Sequence, residues 1–327
     1  MRHCQHYLLA LLAMLVTSSV LAQNPRVWLD TDRGPIFLEL KSGDAPITSE
    51  NFLTYVNEGF FDGLVFHRVV DDFVIQAGGF DRNIEFREPT HPSILNEAGN
   101  GLDNHPRTVA MARATDPDSA NSQFFINLVD NDFLDGGYAV FGEVILGWQT
   151  VQEIAALATG RTTTPVGIID DVPMTPPVIH RAVQFDGEFP IMPIHSGTWF
   201  DPGKSGVGFN IEVTNMGRES DEPLVVIYWY NFNQGENLWL TGTSNFEYGA
   251  TEVTIDLIGV VAPNETVDFQ APPELSAFES RGTLVLSFDD CSNARFDYDL
   301  PDYGSGELEL IRLTLPDRQT CDKYEPD

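Results

Sequence analysis

Residues 66–80 constrain the fold more strongly than any other stretch of this 327-residue chain. β-Favouring residues form two short runs in this segment, one on each side of the turn-forming pair Asp71 and Asp72. The pattern predicts a tight β-hairpin that carries one arginine, Arg68, and one glutamine, Gln76. An arginine among apolar strand residues is costly to bury, so its guanidinium must reach water or face a cleft.

The first half of the chain contains several short β-like runs but only two helical segments. Pro46 suits the first turn of one helix, Gly59 ends it, and the other helix is predicted at 148–158. Strands are predicted at 26–31, 35–41, 108–112, 124–128, 139–146 and 178–185. Many short strands with two helices favour a mainly β fold, namely a closed β-barrel capped by the helices.

The residue pattern of the sequence changes near residues 185–197, where glycine and proline occur without apolar periodicity. We therefore predict two domains, 23–187 and 197–327, joined by a linker at 188–196. The second domain shows no convincing helix, which predicts an antiparallel β-sandwich or a small barrel. Its strands are predicted at 208–213, 224–232, 238–240, 251–258, 283–288, 296–300 and 308–315.

Residues 1–22 have the layout of a secretory signal peptide, with an apolar run too short to span a bilayer and small residues before Gln23. A buried helix or an uncleaved anchor is the alternative. The signal-peptide layout predicts an exported soluble protein, periplasmic or secreted. Cleavage before Gln23 would leave two cysteines, Cys291 and Cys321. An even pair in an exported chain favours a disulfide over a metal or catalytic site.

The charge of the chain is strongly acidic. Aspartate and glutamate outnumber lysine and arginine by 49 to 18, which gives a formal net charge of −31. Such a chain repels nucleic acids and anionic lipid surfaces, so neither partner is expected. No Cys-x-x-Cys motif or histidine cluster occurs, and no metal centre is expected. Calcium held by aspartates between 289 and 302 stays an alternative, although their spacing matches no calcium loop.

Four sequence blocks occur in an order that resembles the cyclophilin-type peptidyl-prolyl cis-trans isomerases. They are Phe66-His67-Arg68-Val69, then 73–79, then 111–114 followed by 121–126, and finally 133–136 followed by 138–142. The similarity covers residues 27–185 and is greatest to the exported bacterial branch of the family. It implies a cyclophilin-like closed eight-stranded barrel and an isomerase of proline-containing polypeptides that needs no cofactor.

The resemblance also implies roles for individual residues. Arg68 matches the catalytic arginine over the prolyl ring, and Gln76 matches the glutamine that hydrogen-bonds the substrate backbone. The remaining matches are Phe73, Val74, Phe125 and Leu134 in the proline pocket, Ala112, Arg113 and Gln123 along the peptide groove, and Phe133 and Tyr138 at its rim.

Each of these residues has a simpler explanation when it is taken singly. Arg68 alone could pair with a surface carboxylate, and Gly78 and Gly79 are ordinary turn glycines by default. The combined order and spacing of the blocks outweighs these simpler explanations. His67 is nevertheless expected to be structural, because rotation about a peptide bond needs no proton transfer.

The C-terminal half leaves its function open. Residues 197–202, 205–209 and 228–230 resemble a module attached to diverse exported bacterial proteins, in which Cys291 and Cys321 fall where a cysteine pair occurs. Three tryptophans, Trp199, Trp229 and Trp239, are expected in its core, with an aromatic glycan or peptide platform as the alternative. The leading hypothesis is an isomerase for exported clients. The other two are a non-catalytic proline-peptide binding module and a surface- or glycan-binding protein with accessory isomerase activity.

Overall fold

The structure is a computed structural model that describes residues 24–164, 167–186, 189–204, 206–214, 216, 223–233, 236–260, 278–314 and 321. The predicted signal peptide and residue 188 of the predicted linker lie outside the described residues. Within the described ranges, no helix is long and apolar enough to cross a membrane.

The first half of the described chain consists of short strands and two helices. The strands are β1 (Arg26–Thr31), β2 (Gly34–Leu40), β3 (Arg68–Val70), β4 (Val74–Ala77), β5 (Thr108–Met111), β6 (Phe124–Asn127), β7 (Val140–Leu146), β8 (Thr159–Thr164), β9 (Gly167–Pro173) and β10 (Ile179–Phe185). The helices are α1 (Pro46–Asn57) and α2 (Trp148–Ala155). All the strands and helices predicted before residue 187 are present, with ends that differ by at most a few residues.

Eight of these strands form one antiparallel sheet in the order β10-β1-β2-β7-β5-β6-β4-β3. Its two edge strands meet through a β-bridge between Val65 and Val178, which lie just before β3 and β10. The predicted mainly β, eight-stranded barrel with two helices is thereby confirmed.

Apolar side chains from the strands and from α1 fill this barrel. The apolar stripe of α1, formed by Phe52, Tyr55 and Val56, is buried. The ring of Phe52 lies 5.2 Å from that of Phe124 and 5.1 Å from that of Phe141. This core holds β6 and β7 at a fixed distance from α1, and β6 is one of the strands that carry the candidate site.

In the first half of the chain, the hairpin of β8 and β9 was not predicted, and it forms a separate two-stranded sheet. Its first strand is threonine-rich and mostly exposed, so it shows none of the apolar alternation by which a strand is recognised. The end of β9 is buried: Val172 is 4% exposed and packs with Val65, Phe80 and Val178. The hairpin is therefore fixed against the chain just before β3.

A second barrel forms the C-terminal half. Its strands are β11 (Gly197–Phe200), β12 (Gly208–Thr214), β13 (Leu224–Asn233), β14 (Glu236–Asn245), β15 (Glu252–Val260), β16 (Phe278–Phe288), β17 (Asn293–Leu300) and β18 (Gly304–Arg312). Each strand pairs with the next, and β18 pairs with β11 to close the barrel. Of the two architectures that the sequence left open, the structure is the small antiparallel barrel.

The tryptophans of this barrel divide between its inside and its outside. Trp199 and Trp229 are 0% and 2% exposed and lie in the core, as expected. The expectation is wrong for Trp239, which is 66% exposed. Trp239 pairs across strands with Tyr230, the residue that follows the inward-facing Trp229, so both side chains lie on the outer face.

Most of residues 189–195 of the predicted linker are buried between the two barrels. Phe189, Met192 and Ile194 pack in one apolar cluster with Trp28 and Phe37 of the first barrel. Cys291 of the second barrel belongs to the same cluster, and its sulfur lies 2.12 Å from that of Cys321, at disulfide distance. The two barrels therefore share a continuous apolar contact.

Asp30 gives the stability of the first barrel an unusual dependence on pH. Burial raises the pKa of this carboxyl from 3.8 to about 6, against the opposing attraction of His180 and Arg181. The folded state therefore binds a proton more tightly than the unfolded state, and stability falls as pH rises from the unfolded to the folded pKa.

We expect the Asp30→Asn protein to gain stability over the wild type as this carboxyl ionises. The gain should grow by about 2.5 kcal/mol between about pH 4 and about pH 7.5, because one pKa unit corresponds to about 1.36 kcal/mol and most of the shift acts in this range. Urea unfolding of both proteins across this range measures the difference. A difference that does not change with pH would contradict the raised pKa.

Candidate active site

The predicted hairpin is present and places two candidate residues directly opposite each other. β3 and β4 pair antiparallel with Arg68 across from Gln76. The other edge of β4 pairs with β6, where Gln76 lies across from Phe125. Residues directly opposite on antiparallel strands share a face of the sheet, so all three side chains lie on the same surface.

This surface forms the wall of a pocket with a volume of about 320 Å³. The lining residues are Arg68, Phe73, Val74, Gln76, Ala112, Arg113, Phe125, Phe133, Leu134 and Tyr138. The structure thus brings together every residue that the resemblance assigned to catalysis or substrate binding, with the exception of Gln123. Loops and three strands supply these residues from 68 to 138, so the fold, and not local sequence, assembles the pocket.

The floor of the pocket is apolar and its rim is aromatic. Val74, Phe125 and Leu134 are each at most 8% exposed and belong to one buried cluster. At the rim, the rings of Phe73 and Phe133 stack at 5.6 Å, and Phe133 is 75% exposed. A rigid apolar pocket with an exposed aromatic edge suits a compact apolar ring whose attached chain stays in solvent.

Gln123 lies beside the pocket and holds Gln76 in place. The Gln76 side-chain amide donates to the Gln123 side-chain oxygen at 3.0 Å. Gln123 also lines a neighbouring cavity of about 380 Å³ together with Gln76, Ala112 and Arg113. The groove residues predicted from the sequence therefore border both cavities and connect them.

His67 is buried behind this network and is neutral at physiological pH. It is 2% exposed, and burial lowers the pKa of its imidazole from 6.5 to about 4. A hydrogen bond with Gln123 and a tilted contact with the Phe80 ring, whose centre lies 4.6 Å away, fix the ring. The geometry agrees with the expectation that His67 supports the site and does not exchange protons with a substrate.

Arg113 is restrained by its surroundings. Its Nε donates to the Gly137 carbonyl at 2.8 Å, its Nη1 donates to the Ala114 carbonyl at 2.9 Å, and its guanidinium lies 4.4 Å from the Tyr138 ring centre. These contacts make Arg113 a fixed wall between the two cavities.

Arg68, in contrast, has few restraints. Its side chain is 34% exposed, and its guanidinium lies 5.8 Å from the ring centre of Phe73. Its Nε lies 3.9 Å from a carboxylate oxygen of Asp171 in β9. No sequence pattern indicates Asp171, because it lies far along the chain in the hairpin that was not predicted.

Among the described residues, no group of three histidine, cysteine, aspartate or glutamate side chains is placed to hold a metal ion. Two of the aspartates considered for calcium have other contacts. Asp290 accepts hydrogen bonds from the backbone N–H groups of Ser292 and Asn293, and Asp289 lies 3.5 Å from Arg295. The chemistry available in the pocket is therefore that of a cation, an amide and an apolar cavity.

Comparison with known proteins assigns this site to a family. The family model described as cyclophilin type peptidyl-prolyl cis-trans isomerase/CLD matches residues 26–183. A peptidyl-prolyl cis-trans isomerase of Acinetobacter baylyi is 45% identical over 168 residues, which are 50% of this chain and 86% of that protein. The chain belongs to the cyclophilin-type isomerase family.

Two further bacterial relatives agree with this assignment. An isomerase of Streptomyces antibioticus is 48% identical over 164 residues, covering 48% of this chain and 96% of that protein. Isomerase B of Escherichia coli is 44% identical over 155 residues, covering 45% of this chain and 92% of that protein. The enzymatic activity of the chain is accordingly peptidyl-prolyl cis-trans isomerisation. The family model ends at residue 183, before the second barrel begins at Gly197.

Gly79 is more than an ordinary turn residue in this cyclophilin barrel. A Cβ atom at Gly79 would lie 2.7 Å from Cδ and 2.8 Å from Nε2 of Gln123, closer than real atoms approach. The bare backbone of Gly79 is what allows the Gln123 amide to reach Gln76.

We therefore expect Gly79→Ala to displace Gln123 and to lower kcat/KM by about tenfold, the factor for about 1.4 kcal/mol of lost positioning. The assay is isomerisation of a short Xaa-Pro peptide. Gly99→Ala is the matched control, since a Cβ there has nothing within 4 Å. Full activity of Gly79→Ala would show that the Gln123 position is not needed.

Proposed function

We propose that the cyclophilin barrel catalyses rotation about Xaa-Pro bonds through Arg68, whose guanidinium donates a hydrogen bond to the prolyl nitrogen as the bond twists. The observation that supports this most strongly is the cross-strand pair of Arg68 and Gln76 at the rim of an apolar pocket. The pocket holds the prolyl ring, and the two polar side chains act on the atoms next to it.

The chemistry needs no covalent step. Rotation about a peptide bond has a barrier of about 18–20 kcal/mol because twisting breaks the resonance of the amide. In the twisted state the prolyl nitrogen regains its lone pair and becomes a better hydrogen-bond acceptor. A fixed cationic donor at that position therefore binds the twisted state more tightly than either planar state, which accelerates the reaction.

The other pocket residues restrict the motion to the correct bond. Phe125 and Leu134 immobilise the ring from below, while Phe73 covers it from the rim. Gln76, held by its hydrogen bond with Gln123, binds the backbone on one side of the proline. With one flank fixed, the other flank rotates, so that binding energy is used to orient the substrate.

The test of this proposal is the rate of cis-to-trans isomerisation of a short Xaa-Pro peptide in the presence of the purified protein. We expect the first-order rate to rise in proportion to protein concentration above the uncatalysed rate. A rate equal to the uncatalysed one at every concentration would contradict the proposal.

We propose further that the protein is exported and acts on exported polypeptide clients. The N-terminal apolar segment, the cysteine pair at disulfide distance and the acidic composition support this. In this proposal the isomerase unit is 23–187, the second unit is 197–327, and 188–196 connects them. Intact mass after expression with an export pathway tests it: the expected species begins at Gln23 and lacks free thiols. A retained N-terminus with three alkylatable cysteines would contradict it.

A further inference from the structure

Asp171 lies beside the catalytic hairpin although it belongs to another sheet. In the part of the chain that the structure describes, it is the one carboxylate within 4 Å of the guanidinium of Arg68, with Nε to Oδ2 at 3.9 Å. The strand that carries it, β9, pairs with β8 outside the eight-stranded barrel. The ion pair therefore links Arg68 to a hairpin that contributes no residue to the pocket lining.

The backbone at Asp171 has an unusual conformation. Its φ angle is 61°, in the left-handed region that residues other than glycine rarely adopt, at a cost of about 1–2 kcal/mol. The pairing register shifts here, because Gly160 faces Val172 and Thr162 faces Ile169. Two residues of β9, Asp170 and Asp171, thus oppose the single residue Arg161 in a β-bulge, a feature that redirects side chains.

The bulge sends two neighbouring carboxylates to different partners. Asp170 accepts a hydrogen bond from Nε of Arg161 within the hairpin at 2.5 Å, whereas Asp171 faces Arg68. The next residue, Val172, is buried against Val65 and Phe80 and anchors this part of β9. The strained position of Asp171 is therefore held by packing and is directed at the active site.

The geometry of the contact suits an orienting role. An arginine side chain has about 2 kcal/mol of rotamer entropy, and Arg68 is one-third exposed, so it needs a restraint to present its donors in one direction. Asp171 lies on the Nε side of the guanidinium and beyond hydrogen-bond distance. It attracts the charge without occupying the Nη donors, which stay available to a substrate.

We infer that Asp171 is a positioning residue, which holds the guanidinium of Arg68 at the pocket rim in the orientation that meets the prolyl nitrogen. The inference rests on the proposed role of Arg68. Asp171 itself touches neither the prolyl ring nor the reacting atoms, since it is not part of the pocket lining.

Asp171→Asn tests the inference, because asparagine keeps the size of the side chain and tolerates the left-handed backbone. We expect kcat for an Xaa-Pro peptide to fall about tenfold while KM changes less than about twofold, the pattern for an interaction used in the transition state. The matched control is Asp170→Asn, which removes the same charge from the adjacent residue and should keep wild-type kcat. Both variants should unfold at the same temperature.

A double-mutant cycle separates positioning from a structural effect. In an Arg68→Ala background, Asp171→Asn should lower kcat no further, because the residue through which it acts is missing. Wild-type kcat in Asp171→Asn, an equal loss in Asp170→Asn, or an undiminished loss in the Arg68→Ala background would each overturn the inference. An Arg68→Ala enzyme as active as the wild type would overturn the proposed function itself, and this inference with it.

Discussion

Replacement of Arg68 by alanine is expected to lower kcat/KM for an Xaa-Pro peptide by about 10²- to 10³-fold, the usual loss when a preorganised donor to a transition state is removed. The arginine lies at the rim of the pocket, one-third exposed, and faces Gln76 across the hairpin. Its removal leaves the apolar floor intact, so the variant should keep its fold, with a change in the free energy of unfolding below about 1 kcal/mol.

A lysine at position 68 shows whether the shape of the guanidinium matters, and an alanine at Arg82 is the control. Arg68→Lys keeps the charge but replaces a planar fork of donors with a flexible point charge, so it should also lose most of the activity. Arg82→Ala removes an arginine from an exposed position outside the pocket and should leave kcat/KM unchanged. Full activity in Arg68→Lys would mean that charge alone is sufficient and that the proposed geometry is wrong.

The largest effect on stability is expected for Arg312→Ala in the second barrel. Arg312 donates hydrogen bonds to the carbonyl oxygens of Cys291 at 2.8 Å, Ser196 at 2.6 Å and Ile194. Its guanidinium also lies 5.2 Å from the ring centre of the buried Trp199. This one side chain therefore connects β18 to Cys291 and to the segment between the barrels.

Alanine at position 312 would leave those carbonyl groups without their donor. Each unsatisfied buried group costs about 1–3 kcal/mol, so we expect the free energy of unfolding of the second barrel to fall by about 3–5 kcal/mol. Urea unfolding followed by tryptophan fluorescence measures this, because Trp199 and Trp229 report on the core. The control is Arg295→Ala on β17, a half-exposed arginine whose ion pairs with Asp289 and Glu307 are worth less than about 1 kcal/mol. Equal stability of the two variants would contradict the proposed connection.

Most of the fold and of the candidate site could be predicted from the sequence, because the informative residues are arranged locally. The hairpin with Arg68 and Gln76 shows apolar alternation around a turn, and the stripe of α1 repeats at helical spacing. The predicted pocket residues were placed through ordered sequence blocks, which indicate the family more strongly than any single residue does. Gln123 was assigned to the groove in the same way, and the structure adds its hydrogen bond to Gln76.

The features that were not predicted depend on contacts between distant parts of the chain. The β8–β9 hairpin has little apolar alternation, so its pairing and its bulge at Asp171 are invisible before folding. The side of the barrel wall on which Trp239 lies depends on strand register, which composition does not reveal. Glycine and proline content predicts a linker at 188–196, but it does not reveal that Phe189, Met192 and Ile194 pack in the apolar cluster between the barrels. Local sequence patterns predict helices and strands, whereas tertiary contacts decide how these elements pair and which of their side chains are buried.

In the proposed mechanism, Arg68 acts on the twisted bond and contributes little to binding of the planar peptide. NMR of an Xaa-Pro peptide with the wild type and with Arg68→Ala tests it directly, because titration gives Kd and exchange spectroscopy gives the isomerisation rate on the enzyme. We expect Arg68→Ala to have a Kd within about threefold of the wild type and an exchange rate lower by about 100-fold or more. A variant whose Kd rises by the same factor as its exchange rate falls would contradict it.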